Sequence, residues 1–101
     1  MKNLINRALI WAYEKGIIHG SKPDIHVLKT YEQTAKLHNA IINKDLDSIE
    51  KHIGGTLVTL IIHAEMNCLT IEQCLETALK EIEPREGEMI NGLFVKQSTN
   101  N

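Results

Sequence analysis

Glu32, Gln33 and Lys36 fall at i, i+1 and i+4 of one helical stretch, and His52 and Gly55 at i and i+3 of the next. Those intervals put each group on one face of its helix, so a carboxylate, an amide, an ammonium and an imidazole can converge between two packed helices. Glu32 can serve as a pocket carboxylate or simply pair with Lys36, four residues on. Lys36 itself is either a solvated surface cation or a phosphate-binding one. A second polar line, His52, Thr56, Thr59 and His63, is spaced 4, 3 and 4 on the later helix. It reads as ordinary polar or pocket-lining groups. His52 and His63 cannot share one metal ion, because eleven residues on a helix separate them by roughly 16 Å. His26 and His38 are also too far apart on their helix, so no metal site is expected among the histidines.

Four helices must position these groups. The first runs from about Asn3 to Lys15, with Leu4, Ile5, Ala8, Leu9 and Ala12 at helical spacing and Gly16 as its stop. A loop spans 17–22. Pro23 suits the first turn of the second helix, which runs to about Asn43. Its apolar stripe is Ile25, Leu28, Ala35 and Ile42, with Glu32 and Asn39 inside the stripe, where polar groups need partners or a purpose. Asp45 is a good N-cap for a third helix reaching about Asn67, a spine roughly 30 Å long. Ile49, Ile53, Leu57, Leu60, Ile61 and Ala64 form its apolar side. Gly54 and Gly55 each cost this helix about 1 kcal/mol relative to Ala. Close helix packing accounts for Gly54, and Gly55 additionally opens space. Thr70 and Gln73 match a capping box for a fourth helix, which reaches about Glu83 and is stopped by Pro84. The segment 85–96 reads as a turn-rich extension with a short strand at 93–96, and 97–101 as a flexible tail. The fold class is all-α, a single domain over 1–96.

The bulk composition narrows the function classes. At 101 residues the chain is one small domain with a modest core, for which self-association is a natural supplement. It is 43% hydrophobic and 24% charged with a net charge of −2, which argues against a nucleic-acid partner held by counterion release. Cys68 and Cys74 match neither a zinc spacing nor a disulfide framework, so a reduced, cytoplasmic chain is the expectation. No signal peptide is read at the start. The most apolar window, 53–69, carries Thr56, Thr59, His63, Glu65 and Asn67 and is too polar for a membrane span.

The order of features resembles a family. Trp11 followed by Lys15-Gly16-Ile17-Ile18, the Lys29-x-x-Glu32 helix, the Ile53-Gly54 step, and Arg85-x-Gly87 with Asn91-Gly92-x-Phe94-x-Lys96 together resemble the small MazG-like proteins, all-α nucleoside triphosphate pyrophosphohydrolases. The likeness covers about residues 4 to 96. It implies a four-helix bundle assembled as a homodimer or homotetramer, of the small single-domain kind met in phage and bacteria. In that family a Glu-Glu-x-x-Glu motif and a later Glu-x-x-Asp motif hold the Mg²⁺ that binds the triphosphate and activates water. Laid on this chain, the first motif falls on Glu32, Gln33 and Lys36 and the second on His52 and Gly55, and a strongly negative site becomes about neutral.

The expectation is therefore a catalytically degenerate member that binds, and sequesters, a nucleotide or nucleotide-derived signal without efficient hydrolysis and without a metal cofactor. Lys36 stands roughly where a metal's charge is otherwise needed. With Lys29, His52, Arg85 and Lys96 it would contact phosphate, with Glu32 and Thr56 in the same pocket and Trp11 stacked on a base or plugging the core. The alternative is a divergent Mg²⁺-dependent pyrophosphohydrolase using Glu32, Glu50 or Glu65. A purely structural or protein-binding bundle is the third class.

Overall fold

The computed structural model describes residues 1–97. These form five helices and one two-stranded sheet, in the order α1 (Lys2–Glu14), α2 (Ile17–Gly20), α3 (Pro23–Ile42), α4 (Leu46–Met66), α5 (Ile71–Ile82), β1 (Gly87–Ile90) and β2 (Leu93–Lys96). The chain divides into two compact units, Met1–Ile71 and the segment from Glu72 onward. The expected flexible tail lies outside the described residues except for Gln97, whose amide donates to Glu86 O at 2.7 Å.

In the first unit the helix ends follow local chemistry. Gly16 ends α1 at φ +74°, a left-handed conformation that suits glycine. Residues 17–20, expected as loop, instead make one helical turn. Pro23 stands at the first turn of α3, where its missing N–H costs nothing. Asp45 caps α4, accepting from Ser48 N at 3.2 Å and from Ser48 Oγ at 2.8 Å. These two bonds hold its carboxyl below the usual range.

Helix α4 packs against α3, α1 and α2. The core is small: Ile5 and Ala12 from α1, Ala40 from α3, and Ile61, Ile62 and Ala64 from α4. Two expectations about faces are corrected. The apolar stripe read on α3 is not its core face, since Ile25, Leu28 and Ile42 remain 56%, 56% and 63% exposed and Ala35 is exposed as well. The face that meets α4 carries His26, Thr30, Gln33, Leu37 and Ala40, buried or half-buried at intervals of 4, 3, 4 and 3. On α4, Ile61 and Ala64 are buried as expected, but Ile53 and Leu60 are exposed, and the line His52, Thr56, Thr59 and His63 is half-buried or buried. The physical reason is that the polar groups find each other across the helix pair, which removes the cost of burying them.

In the second unit, α5 presents Leu75, Leu79 and Ile82 on one exposed side. The region expected to hold a single short strand is a β-hairpin. Its register pairs Gly87 with Lys96, Met89 with Phe94 and Ile90 with Leu93. Asn91 (φ +51°) and Gly92 (φ +83°) form the connecting turn, the two-residue I′ geometry whose twist matches the strands. Gly87 is required by space, because a Cβ there would overlap Val95 O and lie 2.7 Å from Phe94 Cζ. Among the described residues no single helix is long and apolar enough to cross a membrane.

Candidate functional site

The five motif positions resolve into two separate arrangements. Glu32 is ion-paired on the helix surface with Lys29 at 3.2 Å and with Lys36 at 3.0 Å. Hydrogen bonds from Lys36 and then Lys29 hold its carboxyl below the usual range, so it is ionised and already has two cationic partners. Gln33, one residue on, turns to α4, where His52 Nδ1 donates to its Oε1 at 3.0 Å. That contact depends on Gly55. A Cβ at Gly55 would overlap Gln33 Oε1 and lie 2.8 Å from Gln33 Cδ. The space that Gly55 opens is thus filled by the Gln33 amide. Gly54 meets nothing within 4 Å, so the close-packing account of that glycine is corrected: among the described residues no neighbour requires it.

The same seam continues along α4. Thr30 Oγ1 donates to Thr59 Oγ1 at 2.9 Å, and Thr59 Oγ1 donates to Thr56 O at 2.7 Å. The Thr56 hydroxyl donates to His52 O at 2.8 Å and so serves its own helix. Next to these, the rings of His26 and His63 stack with centroids 6.0 Å apart. The Nδ1 atoms of both are buried without a partner. Burial, then His63, then Lys29 push the His26 imidazole below its ordinary pKa of 6.5, which keeps it neutral at physiological pH.

A cavity of about 840 Å³ opens beside this seam, within the range typical of small-molecule sites. Its apolar walls come from Trp11 on α1, Ile25 and Leu28 on α3, and Val58 and Ile62 on α4. His26, Gln33, Gly55 and Thr59 supply polar and open lining, Ser21 comes from the α2–α3 connection, and Lys15, Lys29 and Glu32 bring the charges. Trp11 is 46% exposed and also borders a second groove of about 690 Å³ along α1, with Leu4, Arg7 and Val58. It is therefore not a core plug.

Of the residues expected at the site, Trp11, Lys29 and Glu32 line the cavity. Lys36 is joined to it through Glu32, and His52 and Thr56 belong to the seam behind it. Arg85 and Lys96 lie in the second unit, where they line a depression of about 370 Å³ with Pro84, Glu86 and Gln97. Glu50 is exposed, and Glu65 accepts a hydrogen bond from the Tyr13 hydroxyl, a bond that makes this hydroxyl harder to ionise. Thr59, from the polar line on α4, lines the cavity, as do Lys15 and His26, to which the sequence assigns no place in the pocket. The regular 4-3-4-3 line from His26 to Ala40 is the signal that could have found His26.

The donor set does not fit the Mg²⁺ that the family resemblance implies. Mg²⁺ takes hard oxygen ligands and at least one or two free carboxylates. Here the single carboxylate is held by two lysines, and the other positions carry an amide, an ammonium, an imidazole and no side chain. Among the described residues no three His, Cys, Asp or Glu side chains converge. Compared with protein-family models, with curated proteins and with solved structures, the chain gives no match.

Proposed function

We propose that this chain is a degenerate MazG-like protein that captures a nucleotide, or a nucleotide-derived signalling molecule, in the cavity among α1, α3 and α4 and does not hydrolyse it efficiently. The observation that carries the reading is that the motif positions close on themselves, Gln33 bonded to His52 over Gly55, beside a largely apolar cavity with lysines on its lining. A flat base suits walls of Trp11, Ile25 and Ile62, and an anionic group suits Lys15 and Lys29. Such a site favours capture over turnover, because its one carboxylate is already held by Lys29 and Lys36 and is not free to hold a metal that would activate a water.

Self-association belongs to the same proposal. Leu4, Ile10, Ile25, Leu28, Tyr31 and Ile53 are all more than half exposed, and among the described residues none of the larger side chains is completely buried. Apolar surface of that extent favours a partner, and a second copy is the simplest one. The same exposure also favours the bland alternative, a protein-binding bundle with a vestigial cavity.

One experiment separates these readings. The purified chain is mixed with linear and cyclic nucleotides, with and without Mg²⁺ or Mn²⁺, while thermal shift and pyrophosphate release are followed. Metal-independent stabilisation without product supports capture. Metal-dependent pyrophosphate release refutes it in favour of the pyrophosphohydrolase. No shift with any nucleotide favours the protein-binding bundle.

A further inference from the structure

We infer that the α1–α3–α4 cavity selects a ligand with one phosphate on a flat apolar body, a nucleoside monophosphate, over the corresponding triphosphate. This rests on the nucleotide reading above and adds to it the number of phosphates.

The argument is one of charge. The charged lining consists of Lys15, Lys29 and Glu32, and Lys36 joins through its 3.0 Å bond to Glu32. Three ammonium groups against one carboxylate leave an excess of about two positive charges on the lining and its immediate partners. His26 adds none, because burial keeps it neutral. A phosphate monoester carries about −1.5 to −2 at neutral pH, which this excess balances. Each further phosphate adds at least about one more negative charge. Proteins that bind triphosphates meet that charge with Mg²⁺ on carboxylates or with a Gly-rich backbone cradle at a helix N-terminus. Neither device is open on this lining: its carboxylate is already paired with Lys29 and Lys36, the amides of Gly16, Gly20 and Ser21 donate to Tyr13 O, Gly16 O and Ile17 O, and Gly55 is covered by the Gln33 amide.

Size does not decide the matter, since about 840 Å³ accommodates either ligand. Charge does. The apolar share of the lining, Trp11, Ile25, Val58 and Ile62 among it, has no use for additional phosphates and every use for a base.

The test uses the full chain with adenosine, AMP, ADP and ATP, and the matching guanosine and uridine series, each in EDTA and in excess Mg²⁺. Binding is read by fluorescence of Trp11, the one tryptophan of the chain, which lines the cavity, and by calorimetry. The expected result is that a monophosphate binds at least tenfold more tightly than its triphosphate and its nucleoside, with the same order in EDTA and Mg²⁺. Lys15→Ala and Lys29→Ala, both at exposed positions, should erase the advantage of the monophosphate over the nucleoside while leaving the circular dichroism spectrum unchanged. A triphosphate that binds as tightly as the monophosphate, in either buffer, overturns the inference and leaves the nucleotide reading standing. A nucleoside that binds equally well overturns the phosphate contact. Failure of every compound to bind overturns both.

Discussion

Adjacent glycines on α4 offer a test of what holds the seam between α3 and α4. Replacing an interior helical glycine by alanine is worth about 1 kcal/mol where space allows. Gly54 has that space, with nothing within 4 Å of where a Cβ would stand, so Gly54→Ala should stabilise by about 1 kcal/mol. Gly55→Ala meets the Gln33 amide, with Cδ 2.8 Å away. Gln33 can swing clear, but only by giving up its bond to His52, worth about 0.5–1.5 kcal/mol. The two terms offset, and Gly55→Ala alone should be close to neutral. In a Gln33→Ala background the obstruction is gone, and Gly55→Ala should recover the full gain. The coupling energy of the cycle is then about 0.5–1.5 kcal/mol. Urea unfolding followed by circular dichroism, at one fixed protein concentration because self-association would shift apparent stability, measures each variant against the parent. If Gly55→Ala stabilises as much as Gly54→Ala in the parent, and the cycle is additive within about 0.3–0.5 kcal/mol, the Gln33–His52 closure over Gly55 is refuted as the reason for that glycine.

Two further predictions concern other parts of the chain. Because His26 titrates below its ordinary pKa of 6.5 when folded, the unfolded chain binds more protons near that pH. Stability should therefore be level above about pH 7 and fall as the pH drops through 6.5; melting temperatures at pH 7.5 and 5.5 should show the decline, and His26→Gln should flatten it. An equal decline in the variant would assign the effect to another group. In the hairpin, Gly87→Ala forces a Cβ against Phe94 and the Val95 carbonyl, an overpacking of about 1–3 kcal/mol; amide exchange should show protection of residues 87–96 lost, and retained protection would place the strands in a different register.

How much of this could be read from the sequence depends on which signal each element carries. The long helices were legible to within a residue or two because Gly16, Pro23, Asp45 and Pro84 are end signals with one physical meaning each. Helix α2 was not, since four residues are too few for apolar periodicity to register. The hairpin carries a turn signal of its own, since Asn91-Gly92 between Ile90 and Leu93 is a strong short-range turn marker, but Gly87 and Glu88 at the start of β1 disguise the first strand. At the site, the motif spacing correctly brought Gln33, His52 and Gly55 together. Of the two readings of Glu32, the pairing with Lys36 is present, with Lys29 added, and the turn of about 100° per residue explains why Glu32 pairs on the surface while its neighbour Gln33 faces α4.

The inverted faces of α3 carry the deeper lesson. Periodicity identifies the hydrophobic side of a helix, and the core side follows only if polar groups have no better arrangement. Here they have one. Thr30 meets Thr59, Gln33 meets His52, and His26 stacks on His63, each from α3 to α4. A polar interface is costly unless its members are paired, and a paired one fixes which residue faces which. The seam thus sets the register of the two longest helices and leaves Ile25 and Leu28 to line the cavity. Among the described residues, the buried side-chain atoms left without a partner are Nδ1 of His26 and of His63. His26, 6% exposed, is also part of the cavity lining. Gln33 and Thr59 line the same cavity but are already bonded within the fold, which leaves His26 as the seam residue on that lining with an unpartnered side-chain nitrogen.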